Sequence, residues 1–315
     1  MSIKKLSLSV LTTIFLSVSA SADTFERIPF GNFDNWLSRY IKESKLLGGK
    51  TKTIYEIAPS GTDNSGAAYK SRGGSPWATS NVLAKPAGVA KASNAVYPEN
   101  RPGHGKCAKL VCEFDHCRAV GIVNIEVTVG GSIFTGEMIE PIKNTKNPYS
   151  KMNMGMPFAK RPKALRFDYK YQAPPKNEKI YSSGFGKKKT IPGADSGETM
   201  VILQRRWEDK DGNIFAERVG TARERYHKTT GWVNGHDLAV KYGVNGKSVM
   251  DLIPKNKSYY AKNSKGKMVP VTEVGWDTKN SKPTHAIVMF SAASGEPYVG
   301  SLGLTLWVDN VGWVY

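Results

Sequence analysis

Four carboxylates, Glu137, Glu140, Asp168 and Glu198, together with scattered indole, amide and guanidinium groups, are the side chains of this sequence best suited to chemistry. Hydrolysis of a glycosidic bond needs two carboxyl groups about 5–5.5 Å apart for retention of configuration, or about 6.5–9.5 Å apart for inversion. On one extended segment the odd separation of Glu137 and Glu140 points them to opposite faces, so they do not pair with each other. Glu137 is therefore the expected general acid or nucleophile, with Asp168 or Glu198 as its partner across a sheet. A saccharide also presents C–H groups on its ring face and hydroxyls at its rim, and it is met by exposed aromatic rings beside polar groups. Trp77 follows Gly73-Gly74-Ser75-Pro76 and precedes Asn81, Arg161 lies in a proline-framed turn, and Trp207 sits among Arg205, Arg206 and Glu208. These four are the expected ligand-binding residues. The competing reading of each ring is a place in the core, and of each acid a solvated partner for the many lysines.

Something must position those groups, and the pattern between them is that of strands. Leu165, Phe167, Tyr169 and Tyr171 alternate with Arg166, Asp168 and Lys170, the period-two signature of a half-buried strand. Residues 51–57, 199–208, 214–221, 268–274, 286–292 and 303–315 read as further strands. Residues 118–130, with Ile125, Val127 and Val129, run through Gly130-Gly131 into 132–138 and read as a β-hairpin. One short helix is expected over 35–41, where Phe33, Trp36, Leu37, Tyr40 and Ile41 form an apolar stripe behind a cap at Asn32 or Asp34. Helical periodicity is otherwise scarce, so the class is all-β.

The stretch Gly155-Met156-Pro157-Phe158-Ala159-Lys160-Arg161-Pro162 through Tyr171 resembles the signature of the carbohydrate-metabolism domain family of bacterial exported proteins. Five segments agree in order: Phe33-Asp34-Asn35-Trp36, Leu46 to Lys52, Trp77 to Asn81, Ser132 to Glu137, and Leu306-Trp307-Val308-Asp309-Asn310-Val311. The resemblance implies a jelly-roll β-sandwich of two antiparallel sheets with long loops, and a ligand pocket on its concave face. It implies no particular reaction. Many sugar-binding jelly rolls hold a structural calcium between an early loop and the last strand; Asp309 resembles that ligand, with Asp34 as its partner, although calcium takes six to eight oxygens. The laminarinase-type pattern Glu-x-Asp-x-x-Glu is not met, because Glu113-Phe114-Asp115-His116-Cys117 is followed by Arg118, and no Gly-x-Ser-x-Gly elbow supports a serine hydrolase.

Residues 1–22 read as a signal peptide: Lys4 and Lys5, an apolar run from Leu6 to Val18, and Ala20-Ser21-Ala22 as the cleavage site. The mature chain, 23–315, is then one domain in the periplasm or outside the cell, without a transmembrane segment. The 45 Lys and Arg exceed the 27 Asp and Glu and give a net charge of +18, which favours polyanions, though export and the scatter of the lysines argue against nucleic acid. Two of Cys107, Cys112 and Cys117 are expected to pair in an oxidising compartment. The function these readings favour is an exported carbohydrate-binding or carbohydrate-processing protein for a poly- or oligosaccharide, neutral or anionic. The alternatives are a glycoside hydrolase or polysaccharide lyase built on Glu137 and a second carboxylate (a Lys or Tyr serving as the lyase base), and a non-catalytic envelope or adhesion protein recognising anionic polymer.

Overall fold

A computed structural model describes residues 23–315 apart from Val120, Phe185 and Gly295, so the expected signal peptide lies outside the described residues. The strand Ala164–Gln172 forms as its alternation requires. Leu165, Phe167 and Tyr171 are fully buried and Tyr169 nearly so. It sits in a smaller sheet of order Val123–Gly130, Gly105–Ala119, Thr305–Val314, Ala164–Gln172 and Val233–Ala239, with Phe25–Arg27 added to Thr305–Val314 and Val96–Arg101 to Gly105–Ala119. A larger sheet runs His285–Ser291, Gly197–Glu208, Ile214–Tyr226 and Met268–Trp276, and continues through Tyr260–Lys262 and Met152–Met154 to Ser132–Met138. The two sheets pack their apolar faces together: Leu165, Phe167 and Tyr171 from one meet Val201, Leu203, Val288 and Phe290 from the other. The chain is an all-β sandwich. Pairing is mainly antiparallel, but Ile214–Tyr226 and Met268–Trp276 run parallel.

Three local expectations are corrected. Residues 35–41 are not a helix: Trp36–Lys42 is a strand paired with Thr51–Ile57. Its inward side includes Leu37, Arg39 and Ile41, all at most 2% exposed. The period of two was hidden because one of the inward residues is an arginine, which is buried against Glu56 and Glu140. Residues 123–130 and 132–138 are not a hairpin either. Val123–Gly130 pairs back on Gly105–Ala119, whereas Ser132–Met138 enters the other sheet. Gly130-Gly131 is the crossing between sheets, and glycine is needed there for room. A Cβ on Gly131 would stand 2.1 Å from the Ala95 carbonyl oxygen, and one on Gly130 2.6 Å from the Ala293 methyl.

The third correction concerns the cysteines, which are all free and buried. They lie on the single extended strand Gly105–Ala119. At about 3.3 Å per residue, neighbours five apart are about 16 Å away and on opposite faces, whereas a disulfide needs Cα atoms within about 7 Å. Burial pushes the Cys107 and Cys112 thiols up to about 12, so neither forms a thiolate readily.

The second face of the larger sheet decides where a ligand can go. The sheet closes on itself, because Ser132–Met138 pairs both with Met152–Met154 and with His285–Ser291. The space it encloses is filled by Phe134, Met154, Met200, Ile202 and Ile287, against which Tyr149, Tyr259 and Met289 pack. The expected concave-face pocket is therefore occupied by the protein's own side chains.

At the opposite edge the sheets are tied by His236, whose Nε2 lies 2.6 Å from Glu224 Oε2, with the Phe167 and Tyr169 rings edge-on to the imidazole. The Glu224 hydrogen bond raises the His236 pKa above 6.5, outweighing burial. A histidine with a raised folded pKa contributes stability that is complete below its unfolded value and is lost as pH rises through the folded one. The melting temperature is thus expected to fall as pH rises from about 6.5 through that window, and Glu224→Gln should remove this part of the slope. Parallel melting curves for the two proteins across pH 5–9 check it.

Candidate functional site

The residues expected to bind a sugar do not converge. Trp77 is 4% exposed, its ring 5.4 Å from Phe33 and its indole N–H donating to the Pro29 carbonyl at 3.0 Å. It is a core residue. Asn81 is fully buried and spends its amide on backbone: Nδ2 donates to Tyr55 and Val96 carbonyls, and Oδ1 accepts from Ala95 and Val96. Nothing is left for a hydroxyl. Arg161 donates to the Ser281 carbonyl and lies over the Tyr242 ring at 4.0 Å. Trp207 alone is open to solvent, at 40% exposure, stacked on Phe215 with Arg205 alongside.

The expected carboxylate pairs are separated as well. Glu137 is engaged by Lys262, and Glu198 by Arg225, with burial raising the Glu198 pKa against that arginine. Ser132, Ser291 and Glu198 lie side by side across three strands. Glu137, five residues along from Ser132 and two strand spacings across, is therefore about 19 Å from Glu198. Asp168 belongs to the other sheet.

Asp168 and Asp309 are brought together instead. The ladder between Ala164–Gln172 and Thr305–Val314 pairs Arg166 with Gly312 and Asp168 with Asp309, leaving Phe167 opposite both Asn310 and Val311. This bulge places Asn310 at a positive φ of 52°. Both aspartates accept from one nitrogen, Arg101 Nη1, at 2.8 and 2.6 Å, so their carboxylates lie no farther apart than the sum of those distances. Arg101 Nη2 donates to Asn234, and the guanidinium stacks on Trp232 at 3.9 Å. Burial drives the Asp309 pKa upward and wins, at 1% exposure. Burial also opposes ionisation of Asp168, but the donors Asn310, Gly235 N–H and Arg101 together hold its pKa below the usual value. The environments thus push two adjacent carboxyl groups apart, as acid–base pairs require. The guanidinium between them, however, fills the space a substrate oxygen would need.

The same guanidinium answers the calcium expectation. The cation facing Asp309 is Arg101. Asp34 accepts from the Lys106 N–H and from Asn32 instead, against Gly105, where a Cβ would stand 2.1 Å from its Oδ1. Among the described residues no three His, Cys, Asp or Glu side chains are grouped to hold a metal.

Beside this cluster lies an open groove of about 560 Å³. Its walls are Glu26–Pro29, the turn Gly74-Ser75-Pro76, and Met156-Pro157-Phe158-Ala159-Lys160, with Trp313 beneath. Phe158 forms the aromatic floor, its ring packed at 4.9 Å and 34° on Trp313, which lies buried behind it. Lys160 reaches Glu26 and lies over the Tyr315 ring, giving a polar rim. Arg27 connects the groove to the cluster by donating to Asn310, which itself donates to Asp168. Trp77 supports the walls from below through Pro29, and through its own N–H, which Ser75 Oγ accepts. Phe158 was visible in the proline-framed signature as an apolar residue among turn formers. Trp313 had no local signal beyond the strand that carries it.

Residues 33–314 match the family described as "Putative carbohydrate metabolism domain". The chain belongs to that family. No curated protein matches it. A crystal structure described as "a putative glycoside hydrolase from Bacteroides thetaiotaomicron" is similar at a TM-score of 0.41 and 17% identity, over 85% of this chain and 76% of that one. A likeness at that level says nothing about chemistry. The carbohydrate metabolism domain includes Phe158, Lys160, Asp168, Asp309 and Trp313, so the groove floor and the paired aspartates lie within it.

Proposed function

We propose that this member of the carbohydrate-metabolism family is an exported carbohydrate-binding protein, and that its glycan lies in the groove over Phe158, which Trp313 backs from the core. The observation that carries the reading is an apolar, aromatic floor with an ionic rim, in an open groove within the 300–1,000 Å³ range of small-molecule sites. Two other expected places are closed: the face of the larger sheet by its own side chains, and Asn81 by backbone bonds. Binding without turnover is favoured because Glu137 and Glu198 are apart and each held by a cation, while Arg101 separates Asp168 from Asp309.

Groove variants test this directly. Ser75→Trp should obstruct the groove, and Lys160→Ala should remove a rim donor without touching the core. Retention on a panel of neutral and uronate-containing glycans is expected to weaken roughly ten-fold or more for Ser75→Trp, in protein that still melts cooperatively although the bond from the Trp77 backbone N–H is lost, and less for Lys160→Ala. A glycan retained equally by wild type and Ser75→Trp would place the site elsewhere. Release of reducing ends by the wild type, lost in Asp168→Asn, would return the reading to a hydrolase.

A further inference from the structure

We propose that a second, separate cavity binds a small amphipathic monocarboxylate, its apolar body inside and its carboxylate on Lys151. The cavity, about 210 Å³, lies between two hairpins, Val82–Ala84 with Lys91–Ser93 and Gly105–Ala119 with Val123–Gly130, under the segment 138–152. It shares no residue with the groove. Ile125, Val127 and Val129 follow one another at a spacing of two and so line it from one strand face, and Met138, Ile142 and Met152 cover it. Protein interiors are close-packed, and a dry apolar cavity of about 150 Å³ already accommodates benzene. This one has room for a ring with a short side chain or for a folded chain of about eight carbons. Ser80, Ser93, Ser132, Asn144 and Thr145 also border the space, but most of its surface is apolar and suits a hydrocarbon body.

The charge at the cavity selects the head group. Lys91 is already spent: its Nζ lies 2.9 Å from Asp115, 3.5 Å from Glu43 and 3.1 Å from the Ala92 carbonyl. Lys151, at the end of the turn Pro148–Lys151, also lines the cavity, and its ammonium has no hydrogen-bond or carboxylate partner among the described residues. One unpaired ammonium on an apolar cavity suits a single negative charge. A phosphate or sulfate ester is less well served, because among the described residues no second unpaired cation lines the cavity and Asp115 does.

Calorimetry with octanoate and with octanol, at concentrations where neither forms micelles, tests the assignment. Wild-type protein should bind octanoate saturably at one site. Lys151→Met should weaken octanoate by about five-fold and leave octanol unchanged, as expected for loss of one partly exposed ion pair. Val127→Phe, which fills the cavity, should abolish both, with its melting temperature showing that it is folded. Val82→Phe fills the same cavity from the other wall and takes its place if Val127→Phe does not fold. No binding of octanoate to folded wild type, or equal binding after the cavity is filled, would overturn the site; equal weakening of octanoate and octanol in Lys151→Met would overturn the assigned head group.

Discussion

Trp77→Ala is expected to cost about 3–5 kcal/mol of folding free energy, the range for removing a large buried aromatic. The indole fills the space between Phe33 and Phe290, and its N–H satisfies the Pro29 carbonyl. Trp77→Phe keeps most of the packing and loses the donor, so it should cost about 1–3 kcal/mol, the penalty for a buried acceptor left without its partner. Urea denaturation of both variants measures these costs. Glycan affinity of folded Trp77→Phe should stay within a few-fold of wild type, because the ring faces the core and only supports the groove walls. A ten-fold loss of affinity with little loss of stability would instead mean that the indole touches the sugar.

Arg218→Met should be as severe, at about 3–5 kcal/mol, because it strands a buried carboxylate. Arg218 and Glu273 have no exposed side-chain surface. Arg218 Nε donates to Glu273 Oε1 at 2.6 Å and Nη2 to Oε2 at 2.5 Å, while Nη1 donates to Thr221. Glu273 also accepts from Gln204 and from the Ile253 N–H, so the pair is satisfied as a network and joins the strand Met268–Trp276 to the loop before Tyr260–Lys262. Adding Glu273→Gln to Arg218→Met removes the unpaired charge but keeps an oxygen for Ile253. The double variant should therefore be more stable than Arg218→Met alone, by roughly 1–2 kcal/mol. Additive losses in the cycle would show that the charge was not what made the single change costly.

The class of fold was legible because strand alternation is local. Residues 165–171 show which side is apolar without reference to any other part of the chain, whereas Met200 to Leu203 and Ala286 to Phe290 are unbroken apolar runs, as strands buried on both faces require. Alternation failed where a charged residue faces inward. Arg39 broke the apparent period of Trp36–Lys42 because its partners, Glu56 and Glu140, are 17 and 101 positions away, and no window over residues 35–41 contains them. Gly130-Gly131 carried a true signal, a need for backbone without side chains, but a tight hairpin turn and a crossing between sheets make the same demand.

Sequence alone determined the all-β class, the buried face of Ala164–Gln172, and, through its motifs, membership in the carbohydrate-metabolism family. Tertiary structure decided which candidate residues are reachable. It turned Trp77 inward and enclosed Asn81, and it set Glu137 far from Glu198. It also joined Asp168 to Asp309 through an arginine 208 positions from the latter. The reason is physical: alternation depends on neighbours two residues apart, whereas the cost of burying a charge is offset only by a specific partner, and that partner is chosen by strand order and register across the whole sheet.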